Sequence, residues 1–199
     1  MNHPKITGIH FYLLNRINTF EHYMKGVSTI MEEKQLRLTL QRLAHELIEN
    51  HFPFEDTCLI GIQPRGIGIS DYIYQYIKEI HPDVNIPYGK LDITFYRDDF
   101  RGQIHLPNIT DLTFSIEKKN VILIDDVLYT GRTIRAAMDA LLDHGRAKKV
   151  ELCILVDRKF SRELPIHPDF VGKSIDSIVT QKVKVYWGDE KKVILYESV

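Results

Sequence analysis

The segment Val121–Thr133 places the tightest constraint on how this chain can fold. An unbroken apolar run leads into two acids, Asp125 and Asp126, and then into a loop that ends in Thr130-Gly-Arg-Thr133. A continuous apolar run is typical of a strand covered on both faces. Backbone N–H groups in such a loop, at the start of a helix, converge on an anion, and Gly131 allows close approach of the ligand. The segment therefore predicts a strand–loop–helix unit that binds one phosphate monoester.

The rest of the chain alternates between helix and strand patterns. The predicted elements are a helix over 32–50, a strand at 57–62, a helix spanning Ile69 to Ile80, strands at 90–96, 120–125 and 149–156, a helix after Thr133, and a hairpin within 182–196. This order predicts an α/β fold with a central, mostly parallel sheet flanked by helices and followed by a C-terminal hairpin. The stretch 97–118 lacks a clear element and is predicted to be a flexible loop over the site.

Ligands of such sheets bind beyond the carboxyl ends of the strands. That rule selects four polar segments, at 63–66, 97–99, 125–133 and 157–162. Asp125 and Asp126 would repel a phosphate, but carboxylates accept well from ribose hydroxyls. Side chains alternate along a regular strand, so we expect a bend at one of the two acids. The alternative is an ordinary strand-to-helix turn with a capping threonine and solvated acids.

Composition excludes several classes of function. The chain has 199 residues, of which 44% are apolar and 27% charged, and its formal charge of −1 shows no overall basic excess. Cys58 and Cys153 lie in apolar runs and lack the paired spacing of a zinc or redox site. No apolar run is long enough to span a bilayer, and the scarcity of cysteine fits a cytoplasmic location. Residues 1–27 lack periodicity and are predicted to be a flexible extension or a start-site artefact preceding a domain at 28–199.

The segment Val121–Thr133 resembles the signature with which type I phosphoribosyltransferases bind phosphoribosyl pyrophosphate (PRPP). Three further segments, Tyr96–Asp99, Val156–Arg158 and Arg162–Ile166, resemble the PyrR family, whose members are pyrimidine operon attenuation regulators and uracil phosphoribosyltransferases. The likeness covers about residues 27–199. It implies the reaction of uracil with PRPP to give UMP and pyrophosphate, with Mg²⁺ as cofactor and a homodimer or higher homo-oligomer as the assembly.

The resemblance also implies roles for individual residues. The catalytic candidates are Asp125, Asp126, Arg65 and Arg97. The candidates for binding PRPP and its phosphates are Gln63, Gly66, Val127, Leu128, Tyr129, Thr130, Gly131, Arg132 and Thr133. The candidates for binding the base are Val156, Asp157 and Arg158. Mg²⁺ would be held through the substrate without a direct protein ligand, with Asp98 and Asp99 either contacting its water or orienting Arg97.

Binding of pyrimidine operon leader RNA, promoted by UMP, is the second activity that the resemblance implies. The matching basic positions are Arg42, His45, Arg162 and Lys173. Gln41, Ser161 and His167 depart from the family pattern, and the loss of a full positive charge at His167 would weaken phosphate contacts. Three alternatives therefore stay open at this point: an enzyme without RNA binding, a regulator or nucleotide sensor with little activity, and a transferase for another base.

Overall fold

The computed structural model describes residues 24–98 and 109–198. They form two compact units, one of residues 33–177 and a smaller one of residues 24–32 and 178–198. The elements are β1 (Met24–Met31), α1 (Glu33–His51), β2 (Thr57–Ile62), α2 (Ile67–Ile80), β3 (Tyr88–Leu91), β4 (Asn120–Leu128), α3 (Arg132–Leu141), β5 (Lys149–Lys159), β6 (Phe170–Asp176), β7 (Gln181–Trp187) and β8 (Lys191–Ser198). No helix among the described residues has the length and apolar character needed to cross a membrane.

The larger unit is built on a five-stranded sheet with the order β3-β2-β4-β5-β6. All of its neighbouring strands pair in parallel, which confirms the predicted α/β class. The carboxyl ends of all its strands therefore lie along one edge, and the polar segments that follow them meet there.

Helices cover both faces of this sheet. Alternate residues of β2 and β4, such as Ile60 and Leu123, share a buried apolar cluster with Ile134 and Ala137 of α3. The residues between them face the other way, and α1 and α2 contact the sheet on that side. A Cβ atom on Gly61 would lie 2.1 Å from Ser70 Oγ, so glycine at this position lets α2 lie close to β2.

The predicted strand at 90–96 is wrong in its position. The structure has β3 at Tyr88–Leu91, and Thr94–Tyr96 form a 3₁₀ turn. The carboxylate of Asp92 accepts hydrogen bonds from the backbone N–H of Thr94 at 3.1 Å and from its hydroxyl at 2.7 Å. Local bonds of this kind compete with the strand ladder, so β3 ends before Asp92.

Two strands extend further than their apolar runs predict, and one was not predicted. β4 continues to Leu128 and β5 to Lys159, so the segment Val156–Arg158 lies within β5. β6 is an edge strand whose side chains are mostly half-exposed, which leaves only a weak sequence pattern.

The smaller unit is an antiparallel sheet with the order β1-β8-β7. β7 and β8 form the predicted C-terminal hairpin, and β1 pairs with β8 from Met24 to Met31. The proposed boundary after residue 27 therefore falls inside β1, while residues 1–23 lie outside the described residues.

Candidate active site

The loop after β2 lies directly against the acids of β4. The N–H of Gly66 donates to the carbonyl oxygen of Ile62 at 2.8 Å. A Cβ atom on Gly66 would lie 2.4 Å from the carbonyl oxygen of Ile124 and 3.1 Å from the Cα atom of Asp125. Only glycine therefore fits at position 66. The predicted pyrophosphate loop is in direct contact with the strand segment that carries the acid pair.

Both acids lie within β4, and the expected bend is absent. β4 pairs with β5 in the same register on either side of the second acid, with Asp125 opposite Ile154 and Val127 opposite Val156. The carboxylate of Asp125 accepts a hydrogen bond from the N–H of the next residue, Asp126, at 2.9 Å. Both side chains are buried.

Burial sets the protonation of this pair. It raises the pKa of Asp125 well above its ordinary value, and the charge of Asp126 raises it further, while Arg65 and Arg97 oppose the shift. Burial also raises the pKa of Asp126, and Arg65 opposes that shift first. Since Arg65 acts on both carboxylates, the two acids share one electrostatic environment despite their adjacent strand positions.

The loop after β4 has the geometry of an anion site. Gly131 adopts a left-handed conformation, with φ of +96°, immediately before α3 begins at Arg132. Gly131, at the N-cap, has no side chain to cap the helix, and the N–H of Arg132 donates weakly to the hydroxyl of Thr130 at 3.4 Å. The first N–H groups of a helix have no acceptor within it, and the helix dipole favours negative charge there. The predicted phosphate-binding residues thus end in an open helix N-terminus.

Arg97 reaches this helix start from the other side. Its guanidinium lies 3.4 Å from the hydroxyl oxygen of Thr133. Asp98 bonds Arg135 at 2.6 Å and lies 3.9 Å from Arg132, so its carboxylate engages arginines of α3. The two predicted roles of Asp98, orienting Arg97 and contacting metal-bound water, both stay predictions. Asp99 lies outside the described residues.

The loop at 63–66 carries an exposed arginine side chain and a glutamine side chain that is hydrogen-bonded within the protein. The side chain of Gln63 donates to the carbonyl oxygen of Ile109 at 2.8 Å. Arg65 is exposed, and the peptide bond between Gln63 and Pro64 is cis. Of the predicted pyrophosphate contacts in this loop, the side chain of Arg65 is the better placed to meet a ligand.

The predicted base-binding residues line the end of β5, although not all through their side chains. Val156 is fully buried, so only its backbone could meet a base. Arg158 donates to the hydroxyl of Ser177 at 2.7 Å, and its guanidinium lies 3.9 Å from the centre of the Tyr129 ring. This stack joins the loop after β4 to the end of β5, and burial lowers the pKa of Arg158.

Comparisons with known proteins identify the family. The phosphoribosyl transferase domain matches residues 26–189. The bifunctional protein PyrR of Brevibacillus brevis is 48% identical over 164 residues, which cover 81% of this chain and 90% of that protein. That of Geobacter sulfurreducens is 44% identical and covers 81% and 92%. The chain belongs to the PyrR family.

Solved structures agree with the fold. A hypoxanthine phosphoribosyltransferase from Staphylococcus aureus aligns with a TM-score of 0.63 at 21% identity, over 82% of this chain and 83% of that one. A hypoxanthine-guanine phosphoribosyltransferase from Bacillus anthracis aligns with a TM-score of 0.60 at 21% identity, over 78% and 85%. These alignments confirm the predicted type I phosphoribosyltransferase fold, and the match to the phosphoribosyl transferase domain confirms the activity predicted from Val121–Thr133.

In this PyrR-family chain, residues 163 and 164 hold the loop after β4 in place, which the sequence analysis did not predict. The N–H groups of Glu163 and Leu164 donate to the carbonyl oxygen of Thr130 at 3.0 and 3.2 Å. Arg132 pairs with the carboxylate of Glu163 at 2.7 Å. In the sequence, Arg162–Ile166 stood out only through its resemblance to the family. Hydrogen bonds between positions about 30 residues apart leave no periodic pattern that could have predicted these contacts.

The residues predicted to bind RNA separate into two groups. Arg42 of α1 donates to the carbonyl oxygens of Val171 and Gly172 in β6, at 2.9 and 2.7 Å, which brings it beside Lys173. His45 follows on the same helix and contacts the Tyr76 ring edge-on, with centroids 5.6 Å apart.

The fourth predicted RNA residue, Arg162, contacts the ends of β4 and β5. Its guanidinium donates to the carbonyl oxygens of Leu128 and Arg158, both at 3.2 Å, and to the carboxylate of Asp157. Arg42 and Arg162 both have internal partners, and the RNA contact at Arg162 stays a prediction. Of the four predicted residues, Arg42, His45 and Lys173 form the candidate RNA face on α1 and β6.

Proposed function

We propose that this chain transfers the ribose 5-phosphate of PRPP to uracil, giving UMP and pyrophosphate. One observation carries the proposal: the buried acid pair, the open start of α3 and two arginines meet at the carboxyl edge of the sheet in a member of the PyrR family. In the reaction the bond between C1′ and pyrophosphate breaks, a bond between C1′ and N1 of uracil forms, and N1 loses its proton.

Each group at this edge has a matching part of the substrate. The N–H groups at the start of α3 suit the 5′-phosphate, and the hydroxyls of Thr130 and Thr133 add donors. Asp125 and Asp126 suit the ribose hydroxyls and the positive charge that develops on the ring. Arg65 and Arg97 suit the departing pyrophosphate, because a planar guanidinium matches phosphate oxygens.

The site also suits a magnesium ion carried by the substrate. The described residues hold no cluster of three or more His, Cys, Asp or Glu side chains that could bind a metal. Magnesium usually keeps several waters and binds substrate phosphates, so PRPP would hold the ion while Asp125 and Asp126 accept from the ribose hydroxyls. When bound with PRPP, the ion would neutralise charge on the leaving pyrophosphate.

The test is pyrophosphate release from PRPP and Mg²⁺ in the presence of one base at a time. Uracil should support turnover, whereas cytosine, hypoxanthine, guanine and orotate should not. Asp126→Asn should abolish turnover, because the ribose loses its charged partner, and it serves as the negative control. Turnover with another base, and none with uracil, would refute the choice of base.

A second function, binding of pyrimidine operon leader RNA with UMP as co-ligand, is favoured by the face formed by Arg42, His45 and Lys173. A gel-shift titration with that RNA at several salt concentrations tests it. Lys173→Ala should weaken binding and reduce the salt slope by about 1, as expected for the loss of one phosphate contact. Lys148→Ala removes an exposed lysine before β5 and should change neither. The absence of a UMP-dependent shift at low salt would refute RNA binding.

The cytoplasmic location and the homo-oligomer remain part of this proposal, supported by the resemblance. Gel filtration with light scattering of the purified chain would test the assembly, with a dimer or higher state as the expected result.

A further inference from the structure

The end of the ladder between β4 and β5 forms a fork. Leu128 opposite Asp157 is the last pair in register, after which β4 leads into the phosphate loop and β5 continues beside β6. The guanidinium of Arg162 enters this fork. Its Nη1 atom donates to the carbonyl oxygens of Leu128 and Arg158 at 3.2 Å each, and also to that of Tyr129. Arg162 thus joins the two strands where their own pairing has ended.

The other nitrogens of Arg162 hold the guanidinium in place. Nη2 donates to the carboxylate of Asp157, and Nε donates to the carbonyl oxygen of Ile166 at 3.2 Å. Only 23% of the side chain is exposed. The rigid, planar guanidinium of arginine can donate to several acceptors at fixed angles, whereas a lysine ammonium is a compact point charge.

The two residues that follow Arg162 also hold the loop after β4 in place. Glu163 and Leu164 donate their N–H groups to the carbonyl oxygen of Thr130. The carbonyl oxygens of Leu128, Tyr129 and Thr130 therefore all point toward the segment that Arg162 begins.

This arrangement fixes the direction of the amides that face the ligand. In a planar trans peptide the C=O of one residue and the N–H of the next point in opposite directions. Since three successive carbonyls point toward residues 162–164, the N–H groups of Tyr129, Thr130 and Gly131 point away from these residues. That is the side from which a phosphate would approach the start of α3.

We propose that Arg162 is a positioning residue, which orients the peptide planes of Leu128–Gly131 so that their N–H groups converge on the 5′-phosphate of the substrate. It touches neither substrate nor reacting atoms in this role. The ligand's identity rests on the proposed function, but the orientation of the loop does not.

The experiment is a calorimetric titration of wild-type protein, Arg162→Lys and Arg162→Ala with two separate probes. Ribose 5-phosphate reports on the loop at 128–133, and pyrophosphate with Mg²⁺ reports on the region of Arg65. Both variants should bind ribose 5-phosphate about tenfold or more weakly, as expected for lost hydrogen bonds to a charged group, and pyrophosphate with unchanged affinity. Methylguanidine should partly restore ribose 5-phosphate binding to Arg162→Ala.

Kinetics and a matched variant complete the design. The KM for PRPP should rise about tenfold in Arg162→Lys, with a smaller change in kcat, because binding of the 5′-phosphate is what is lost. Arg146→Ala removes an exposed arginine at the opposite end of β5 and should match the wild type in every assay. If Arg162→Ala folds poorly, Arg162→Lys carries the test, because its ammonium can still pair with Asp157.

The outcomes separate this proposal from the proposed function. If the wild type binds ribose 5-phosphate but releases no pyrophosphate with uracil, the base assignment fails and the titrations still decide the role of Arg162. Unchanged ribose 5-phosphate affinity in Arg162→Lys, or an equal loss for both probes, overturns the positioning role. A wild type that binds no ribose 5-phosphate overturns the positioning role, because the loop at 128–133 then does not bind the 5′-phosphate, while the assay with uracil still decides the transferase.

Discussion

At the scale of single residues, the acid pair should lower the stability of the folded state at neutral pH. Burial and the charge of Asp126 raise the folded-state pKa of Asp125 above the ordinary value that it regains on unfolding. A raised carboxyl pKa gives stability that is present below the unfolded pKa and is lost as pH rises through the folded pKa. Asp125→Asn, which is always neutral and can still accept from the N–H of Asp126, should therefore raise Tm at pH 8 by about 2–4 °C, or about 1 kcal/mol.

Thermal unfolding from about pH 4 to pH 8 measures this effect, since an unperturbed aspartate titrates near 3.9. The gain in Tm of Asp125→Asn should shrink as pH falls toward 4, where both proteins are neutral at this position. Transferase activity should be lost at every pH. Asp83→Asn, at an exposed position, is the control and should show no pH-dependent gain. An equal gain in Tm for Asp83→Asn would show that the effect comes from the change in net charge and not from the burial of Asp125.

The local chemistry of the site was predictable at this scale, but the partners of its side chains were not. The acids and the Thr-Gly-Arg-Thr loop are contiguous in the sequence, so their meeting at one edge follows from strand order. The pairing of Asp98 with Arg135 and the enclosure of Arg162 depend on how separate segments fold back. Neither contact leaves a periodic pattern in the sequence.

At the scale of elements, Gly66 sets how closely the loop after β2 approaches β4. A methyl group on residue 66 would press on the carbonyl oxygens of Ile124 and Ile62, at 2.4 and 2.7 Å. These are backbone atoms that cannot rotate away, so Gly66→Ala should cost about 1–3 kcal/mol and displace Asp125. We expect a lower Tm and at least about a tenfold loss in kcat/KM, as for a small misplacement of catalytic groups. Gly188→Ala, whose methyl group would meet nothing within 4 Å, should leave both unchanged.

The segment Tyr96–Asp98 is tied to α3 and to the turn that follows it at two points. The hydroxyl of Tyr96 donates to the carboxylate of Asp143, and Asp98 pairs with Arg135. Arg135 lowers the pKa of Asp98 through a hydrogen bond, so the pair is intact at neutral pH. Exposed pairs contribute little stability, so Asp98→Asn should leave Tm unchanged. Its kcat/KM should fall about three- to tenfold, because Arg97 loses its anchor beside Thr133.

Steady-state kinetics with PRPP as the varied substrate measures that loss. Asp139→Asn changes an exposed acid on the same helix and should keep wild-type kinetics. A drop in Tm together with kcat/KM would mean that Asp98 acts on folding and not through Arg97.

Element positions followed from the sequence only where burial alone decided them. The runs that became β2 and the first half of β4 are continuously apolar, and both were predicted. β6 was missed because an edge strand contributes one face to the core, and its polar residues Lys173, Ser174 and Asp176 hide the pattern. β3 was shifted because one side chain, Asp92, ends the ladder through bonds that a propensity argument does not include.

At the scale of the whole molecule, β1 ties the start of the described chain to its last strand. β1 pairs with β8 from Met24 opposite Ser198 to Met31 opposite Val193, and Val193 is fully buried. Deletion of residues 1–23 leaves every pair of this ladder intact. Deletion of residues 1–31 removes the strand and exposes the edge of β8, and a bare hydrophobic edge promotes pairing between chains.

We therefore expect the 24–199 protein to keep the Tm and the monodisperse profile of the full chain. The 32–199 protein should unfold at a lower temperature and aggregate in proportion to its concentration. Thermal unfolding and light scattering at two protein concentrations measure both effects. A loss of stability already present in the 24–199 protein would show that residues 1–23 belong to the folded domain, and would contradict their assignment as an extension. Equal behaviour of all three proteins would instead show that the edge of β8 does not need β1, because some other contact then protects it.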